Sequence, residues 1–423
     1  MHLAFSKNDD PPIARMTAPI TALSAAHSQS ILLLSFATFS SMTVQRICDA
    51  MLPELSRVFA VSLGQAAQVV SVFAMVYGAA QLLYGPMGDR LGKFRVVTFA
   101  TLACIVGSVL AGFATSLGML VVARMMVALG AAAIIPLAMA WVGDITPHEQ
   151  LQETLARLGL GSTLGIVGGQ LLGGLLTDLL GWRWAFGFTA VLFTVVGSLL
   201  CVNWRSQQAL AATSTAADTD DAVTRPGFAR QALSIITGPW SRVVLTVAFI
   251  EGATGFGVLA VWASHLHDAL GLSLTSAGAI VALFGLGGVV YMATARHLIR
   301  RLGQPGLTKL GAGLVSLAAL VVAFTPYWLL ALPACLVGGF GFFMLHNTLQ
   351  ANAAQMAPTA RGTAVSLFAA ILFLGQSVGV FFAAKLIDRI GSSAVVAAGG
   401  AGVLAVGVYF SVALSRRKSE VAI

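Results

Sequence analysis

Residues 85–95 read Gly-Pro-Met-Gly-Asp-Arg-Leu-Gly-Lys-Phe-Arg and separate two long apolar runs, roughly 68–84 and 96–115. Each run is long enough to cross a bilayer, which takes about 20 apolar residues per helix. The spacing predicts a short charged loop in which Gly85 and Gly92 are free to adopt positive φ. Lys and Arg favour the cytoplasmic side of a membrane. We therefore expect two antiparallel membrane helices joined by this loop at the cytoplasmic surface.

The whole chain has the composition of a membrane protein. Of its 423 residues 57% are hydrophobic and 9% are charged, with a mean hydropathy of +0.88, whereas a soluble chain carries about 25% charged residues. The net charge of +8 is spread over helix ends and does not indicate nucleic-acid binding. The four cysteines lack metal-ligand spacing, and no phosphate-binding loop is present. We expect neither a metal nor a cofactor.

Apolar runs predict an all-α protein with twelve transmembrane helices. If the N-terminus is cytoplasmic, the cytoplasmic segments hold 18 of the 24 Lys and Arg residues, so both termini are expected in the cytoplasm. The predicted spans cover residues 30–52, 66–84, 96–115, 118–142, 156–176, 184–203, 241–264, 272–294, 307–325, 328–352, 362–384 and 393–414.

A polar break divides the spans into two sets of six. We predict a cytoplasmic tail at 1–29, a first half at 30–203, a flexible linker at 204–240, a second half at 241–414 and a cytoplasmic tail at 415–423. A faint repeat supports the division, since the Arg-Leu-Gly sequences ending at Gly92 and Gly303 lie 211 residues apart. Two such halves are typical of parallel-repeat transporters.

The pattern G-x-x-x-D-R-x-G-K-x-R at residues 85–95 resembles the loop between helices 2 and 3 of the major facilitator superfamily. The resemblance implies a latch in which Asp89 meets the start of helix 11 near Gly362 and Arg90 meets Asp144. A helix N-terminus attracts an acid through its free N–H groups. The implied latch residues are Gly85, Asp89, Arg90, Gly92, Lys93 and Asp144.

Two further segments resemble proton-coupled members of that family. Arg124 in span 4 stands where such transporters carry a membrane-embedded arginine. The glycines from Gly161 to Gly174 in span 5 resemble a drug:proton antiporter motif, although Gln170 replaces its proline. Close helix packing at small residues explains the same glycines, and Gln170 could also offer a hydrogen bond to the transport pathway.

Intramembrane acids and arginines are costly and indicate function. We predict Asp49 as the proton carrier, with Arg124 or Arg46 as its charge partner; the alternative is a fixed Arg46–Asp49 pair on one helix. Glu251, with no charged neighbour in sequence, is predicted to face a water-filled cavity and serve equally as a proton-coupling residue.

Polar residues within the spans are candidates for the substrate cavity, although His346 alone is also typical of plain packing. The candidates are Gln81, Gln170, His346, Asn347 and Gln376. No nucleophile and base stand at helical spacing, so an enzyme is not expected. We expect a monomeric transporter in the bacterial inner membrane that exports a small organic solute in exchange for protons. The alternative is proton-coupled uptake, or facilitated diffusion, of a metabolite such as a sugar or organic acid.

Overall fold

A computed structural model describes residues 25–213 and 228–421, and this part of the chain is helical, without a β-strand. A π-helical segment (Gly252–Gly257) follows α10, and a 3₁₀ turn (Pro358–Ala360) precedes α14. The helices are α1 (Ala25–Arg46), α2 (Leu52–Phe59), α3 (Leu63–Ala66), α4 (Gln68–Leu91), α5 (Lys93–Gly112), α6 (Leu117–Ile145), α7 (His148–Leu180), α8 (Trp182–Thr213), α9 (Phe228–Thr237), α10 (Pro239–Glu251), α11 (Trp262–Leu270), α12 (Leu274–Phe324), α13 (Trp328–Gln355), α14 (Arg361–Ile390) and α15 (Ser392–Val421).

The long helices fall where the hydropathy predicts spans. Within the described residues ten helical stretches are long and apolar enough to cross a membrane. One of them, α12, has 51 residues and breaks at Gly303 (φ 61°, ψ 177°), so it supplies two predicted spans. The predicted first span corresponds to α1, which is rich in Ser and Thr and is not among the ten. We call the face with the start of α1 and the end of α15 the terminal face, and the opposite face the distal face.

The predicted loop at residues 85–95 is shorter in the structure than we expected. α4 continues through Gly85 to Leu91, and α5 begins at Lys93, so the prediction of positive φ at Gly85 is wrong. Only Gly92 (φ 89°) makes the reversal. The physical reason is that a helix satisfies its own backbone hydrogen bonds, which favours continuing it to the edge of the apolar zone.

Glycines on α7 bring that helix against α1. A methyl group added at Gly161 would lie 2.5 Å from Ser35 O, and one at Gly169 would lie 2.7 Å from Thr43 O. Gly173 makes a similar contact with Ile47. Small residues thus let the two backbones approach as predicted for span 5, and this approach brings α7 side chains to the distal end of α1.

We call helices α1 to α8 the first half and helices α10 to α15 the second half. The halves meet where α7 contacts α12 and where α4 contacts α14. The predicted linker is partly helical, because α8 continues to Thr213 and α9 occupies Phe228–Thr237. Helix α15 likewise extends through most of the predicted C-terminal tail. Residues 1–24, 214–227 and 422–423, which include most of the predicted N-terminal tail, lie outside the described residues.

Candidate functional site

Asp49 lies in a buried hydrogen-bonded cluster at the distal end of α1. The helix ends at Arg46, and turns lead to α2, whose first turn contains Pro53. The fully buried Asp49 carboxylate accepts through Oδ2 from Arg46 Nη1 at 3.3 Å and from Gln170 Nε2 at 2.9 Å. Of the two predicted charge partners the structure pairs Arg46 with Asp49. Gln170, a predicted cavity residue, reaches this acid because α7 packs so closely on α1.

Arg124 has a different environment from the predicted ion pair. It is fully buried on α6, donates through Nη1 to Val44 O at 2.7 Å and through Nε to Val69 O at 3.3 Å, and lies 4.0 Å above the ring of Phe73. Val44 is in the last turn of α1, whose carbonyls have no partner within the helix. Arg124 therefore caps α1 and places a cation at the negative end of its dipole.

The cluster retains unused hydrogen-bonding capacity. Among the described residues, no partner is present for Asp49 Oδ1, Arg46 Nε, Arg124 Nη2, Gln45 Nε2 or Gln170 Oε1, and each of these atoms is buried. A buried polar atom without a partner costs about 1–3 kcal/mol. Donors and acceptors are both present among these atoms.

A second acid–base pair joins α10 and α13. Glu251 is the last residue of α10, is fully buried, and has Oε2 3.2 Å from Nδ1 of His346. In this structure the Glu251 side chain is buried and the π-helical segment that follows it packs against α14, so its exposure to a water-filled cavity stays a prediction. Added methyl groups at Gly255 and Gly257 would lie 2.7 Å from Phe342 Cε2 and 2.9 Å from Gly379 Cα. π-Helical segments occur frequently at functional sites.

Aromatic rings surround His346, which therefore has both a partner and a packing role. The Phe342 ring stacks on the imidazole with centroids 5.5 Å apart and planes at 12°. Phe256, Phe343 and Phe368 have centroids 5.6, 6.4 and 6.0 Å from it. The sequence carried one signal for the pair, since Glu251 and His346 are both polar residues deep within predicted spans.

The remaining predicted cavity residues, Gln81, Asn347 and Gln376, lie on α4, α13 and α14. Gln81 and Gln376 are buried, with Gln81 Oε1 and both amide atoms of Gln376 lacking a partner within the described residues. Asn347 is half-buried. Two cavities lie elsewhere: one of about 310 Å³ between α1 and α7, and one of about 470 Å³ among α4, α5 and α6. Neither is lined by a predicted cavity residue.

The predicted latch residues form different pairs in this structure. Lys93 Nζ is 2.6 Å from Asp144 Oδ2 and 3.8 Å from Asp89 Oδ1, whereas Arg90 is exposed. Lys93 rather than Arg90 therefore pairs with Asp144, because the turn at Gly92 places the start of α5 beside the end of α6. Gly362 is exposed, and an added methyl group there would have no neighbour within 4 Å.

At the distal face an acid that we did not predict joins the two halves. Asp178 near the end of α7 accepts through Oδ2 from the backbone N of Thr275 at 2.7 Å and from its Oγ1 at 2.6 Å. Thr275 lies in the first turn of α12, so this carboxylate docks on a helix N-terminus. Its neighbour Gly174 packs directly against Leu274. These contacts join the two halves at the distal face.

A family profile matches most of this chain, and individual relatives match part of it. The sequence profile of the Major Facilitator Superfamily matches residues 34–380. The MFS-type efflux transporter ffsH of Aspergillus flavipes is 28% identical over 206 residues, which are 46% of this chain and 36% of that protein. The MFS-type transporter YwfA of Bacillus subtilis is 23% identical over 296 residues, 70% of each chain.

A solved structure shares the architecture. A bacterial homolog of the human lysosomal transporter Spinster, in an inward-facing and unoccupied conformation, superposes with a TM-score of 0.69 at 17% identity, covering 93% of this chain and 96% of that one. Its likeness supports the fold. With the family profile spanning most of the sequence and the helical architecture in agreement, the chain belongs to the Major Facilitator Superfamily of membrane transporters.

Proposed function

We propose that this protein is a monomeric secondary transporter that exports a small organic solute in exchange for protons by alternating access. The observation that carries the proposal is the buried Asp49 carboxylate, which is bonded to Arg46 and Gln170 and whose second oxygen has no partner among the described residues. Burial favours the protonated acid and the adjacent guanidinium favours the ionised one. An acid balanced between these effects is suited to carrying a proton.

Through Arg46, protonation of Asp49 changes the contact between the two halves. Its guanidinium also donates to the carbonyl of Phe256 in the other half, at 3.5 Å between Nη1 and O. When Asp49 takes a proton, Arg46 loses its ion pair and depends more on Phe256, which strengthens contact between the halves near the distal face. When Asp49 is ionised, it draws Arg46 back into the first half. A protonated transporter would then favour the closed distal face.

The latch proposed for the terminal face belongs to the opposite conformation. In this structure Asp89 and Arg90 are exposed while Asp178 joins the two halves at the distal face, and we take this arrangement to be the one in which the distal face is closed. When the terminal face closes, we propose that Asp89 docks at the start of α14 near Gly362, with Gly85 and Gly92 allowing the approach and Lys93 and Asp144 positioning the end of α4. The transport cycle alternates between these two acid–helix contacts.

The charge distribution supports an orientation with the terminal face in the cytoplasm of the bacterial inner membrane. On the predicted topology 18 of 24 basic residues lie on this face. The name of the Aspergillus relative and the glycine run of α7 favour export. A second candidate is proton-coupled uptake or facilitated diffusion of a metabolite, favoured by Gln170 in place of the proline of the antiporter motif.

Everted membrane vesicles test the proposal. Vesicles acidified inside and loaded with a quenched pH dye are given lipophilic cations, sugars, organic acids and amino acids in turn. Dequenching that vesicles without the protein lack is expected for at least one compound, and Glu54→Gln should retain it, because Glu54 is a distal carboxylate paired within its own half to Arg57. Absence of any response, with counterflow of a labelled metabolite observed in the same vesicles, would refute proton antiport.

A further inference from the structure

An apolar groove runs along the surface of the first half, between α4, α5 and α6. It is the cavity of about 470 Å³ described above, and its lining includes Met87, Leu91, Phe99, Met126 and Leu129. The side chains of Leu91, Phe99 and Leu129 are 52%, 47% and 47% exposed. Helix α5 packs on α4, α6 and α8, all in the first half. The groove therefore opens toward the lipid of the membrane and not toward the second half.

The groove has the length and the surface chemistry that suit an acyl chain. Its lining on α5 extends from Arg95 to Ala103, which is about 12 Å of helix at 1.5 Å per residue. One leaflet of a bilayer has about 15 Å of hydrocarbon, so the groove extends through most of a leaflet. The Tyr84 hydroxyl in the groove donates to Leu129 O at 2.5 Å and needs no other acceptor. An acyl chain can cover this surface without depriving that hydroxyl of its hydrogen bond.

Arg95 lies at the end of the groove nearest the terminal face, which is the level of the lipid headgroups. It is exposed in the first turn of α5 and has no carboxylate partner among the described residues. Its Cζ lies 5.9 Å from the ring centroid of Phe99 and 5.8 Å from that of Trp204. Stacking of this kind restricts the guanidinium, so less freedom is lost when it binds a phosphate. The nearby acids Asp89 and Asp144 are instead 3.8 and 2.6 Å from Lys93.

We propose that the groove binds one anionic phospholipid from the leaflet at the terminal face. An acyl chain lies between α4, α5 and α6, and the phosphate binds the guanidinium of Arg95. The start of α5 adds to the attraction, because Gly92 has no side chain to cap the free N–H groups of the first turn. A headgroup with net negative charge is favoured over a zwitterionic one, because no described acid neutralises Arg95.

The cavity between α1 and α7 provides a comparison. It has a volume of about 310 Å³, and its lining is also largely apolar and includes one arginine, Arg157. Nη2 of Arg157, however, lies 2.8 Å from Oε1 of Glu153 on the same helix. The charge of Arg157 is thus already paired, so we do not expect this second cavity to select an anionic headgroup. The two arginines form a matched pair for mutation.

Native mass spectrometry of the full-length, delipidated protein tests the inference without a transport substrate. Phosphatidylglycerol and phosphatidylcholine with identical acyl chains are titrated separately, and the affinity for the first bound lipid is measured. The wild type should bind phosphatidylglycerol more tightly. Arg95→Gln should weaken the binding of phosphatidylglycerol about fivefold, the contribution of one basic residue near an anionic surface, and leave that of phosphatidylcholine nearly unchanged. Arg157→Gln should change neither affinity.

Ala103→Phe tests the part of the site that holds the acyl chain. Ala103 is exposed and lines the groove on α5 far from Arg95, so a phenyl group there fills the groove and should weaken the binding of both lipids. Glycerol 1-phosphate, which has a phosphate but no acyl chain, should not displace phosphatidylglycerol at equal concentration. Displacement by glycerol 1-phosphate would assign the site to free phosphate and overturn the inference. Equal wild-type affinities for the two lipids, or an unchanged preference in Arg95→Gln, would also overturn it.

Discussion

Replacing Asp178 by Asn should shift the protein toward an open distal face. The Asp178 carboxylate joins the halves by accepting two hydrogen bonds from Thr275 at the start of α12. Asn retains one oxygen acceptor but loses the negative charge. Hydrogen bonds to charged groups contribute about 1.5–3 kcal/mol, and an acid at a helix N-terminus about 0.3–1 kcal/mol. Since Asp178 is exposed, the free energy lost from this contact should fall at the low end of these values, about 1–2 kcal/mol.

A loss of this size is measurable as a change in population. Each 1.4 kcal/mol corresponds to a factor of ten in an equilibrium constant. A loss of about 1–2 kcal/mol therefore changes the ratio of molecules with a closed distal face to molecules with an open one about 5-fold to 30-fold. Leu179 and Tyr327 are 70% and 67% exposed and lie at the distal ends of opposite halves. Spin labels at these two positions report the distance between the halves by pulsed electron paramagnetic resonance. Cys201 is half-buried and is replaced by Ser, whereas the other three cysteines are buried.

The control is Glu54→Gln at the same face. Glu54 pairs with Arg57 in its own half, at 2.7 Å between Oε1 and Nη2, and does not join the halves. Asp178→Asn should increase the population at long distances and Glu54→Gln should not. If both variants, or neither, change the distance distribution, the Asp178 contact does not hold the distal face closed.

Three further predictions follow from single contacts. Asp89→Asn should slow turnover about twofold to fivefold, the value of a helix N-terminal contact, with KM nearly unchanged; a large rise in KM would contradict a latch role. Gly169→Ala should destabilise the protein by about 1–3 kcal/mol, because the added methyl group overpacks against α1. Thermal unfolding in detergent measures this loss. Gly159→Ala on the same helix is the control and should not destabilise the protein, because the space around Gly159 is open. Arg124→Met should lower Tm by leaving the carbonyl of Val44 without a donor, at a cost of about 1–3 kcal/mol; an unchanged Tm would show that Arg124 does not cap α1.

The positions of the spans could be predicted from sequence because hydropathy and helix length are local properties. The break at Gly303 and the reversal at Gly92 also follow local rules, since both require a residue that tolerates positive φ. The glycine face of α7 was visible as a repeat of small residues. The continuation of α4 through Gly85 was missed, because charge and glycine indicated a loop where the membrane environment favours helix.

Side-chain partners could not be predicted in the same way. Gln170 reaches Asp49 across 121 residues of sequence, and His346 reaches Glu251 across 95. Such pairs depend on the rotation and tilt of each helix about its neighbours. Helices that are apolar on every side give little indication of which face turns inward. The choice of Lys93 over Arg90 as the partner of Asp144 depends on the geometry of a single turn.

The most direct test of whether Asp49 carries the proton measures proton-driven transport separately from the exchange of bound solute. In proteoliposomes supplied with a transported compound from the vesicle screen, proton-driven transport and solute–solute exchange are measured for the wild type, Asp49→Asn and Glu54→Gln. Because Asn keeps the size and one oxygen acceptor but cannot ionise, Asp49→Asn should abolish proton-driven transport while solute exchange continues, and Glu54→Gln should retain both. Proton-driven transport that persists in Asp49→Asn would contradict the account.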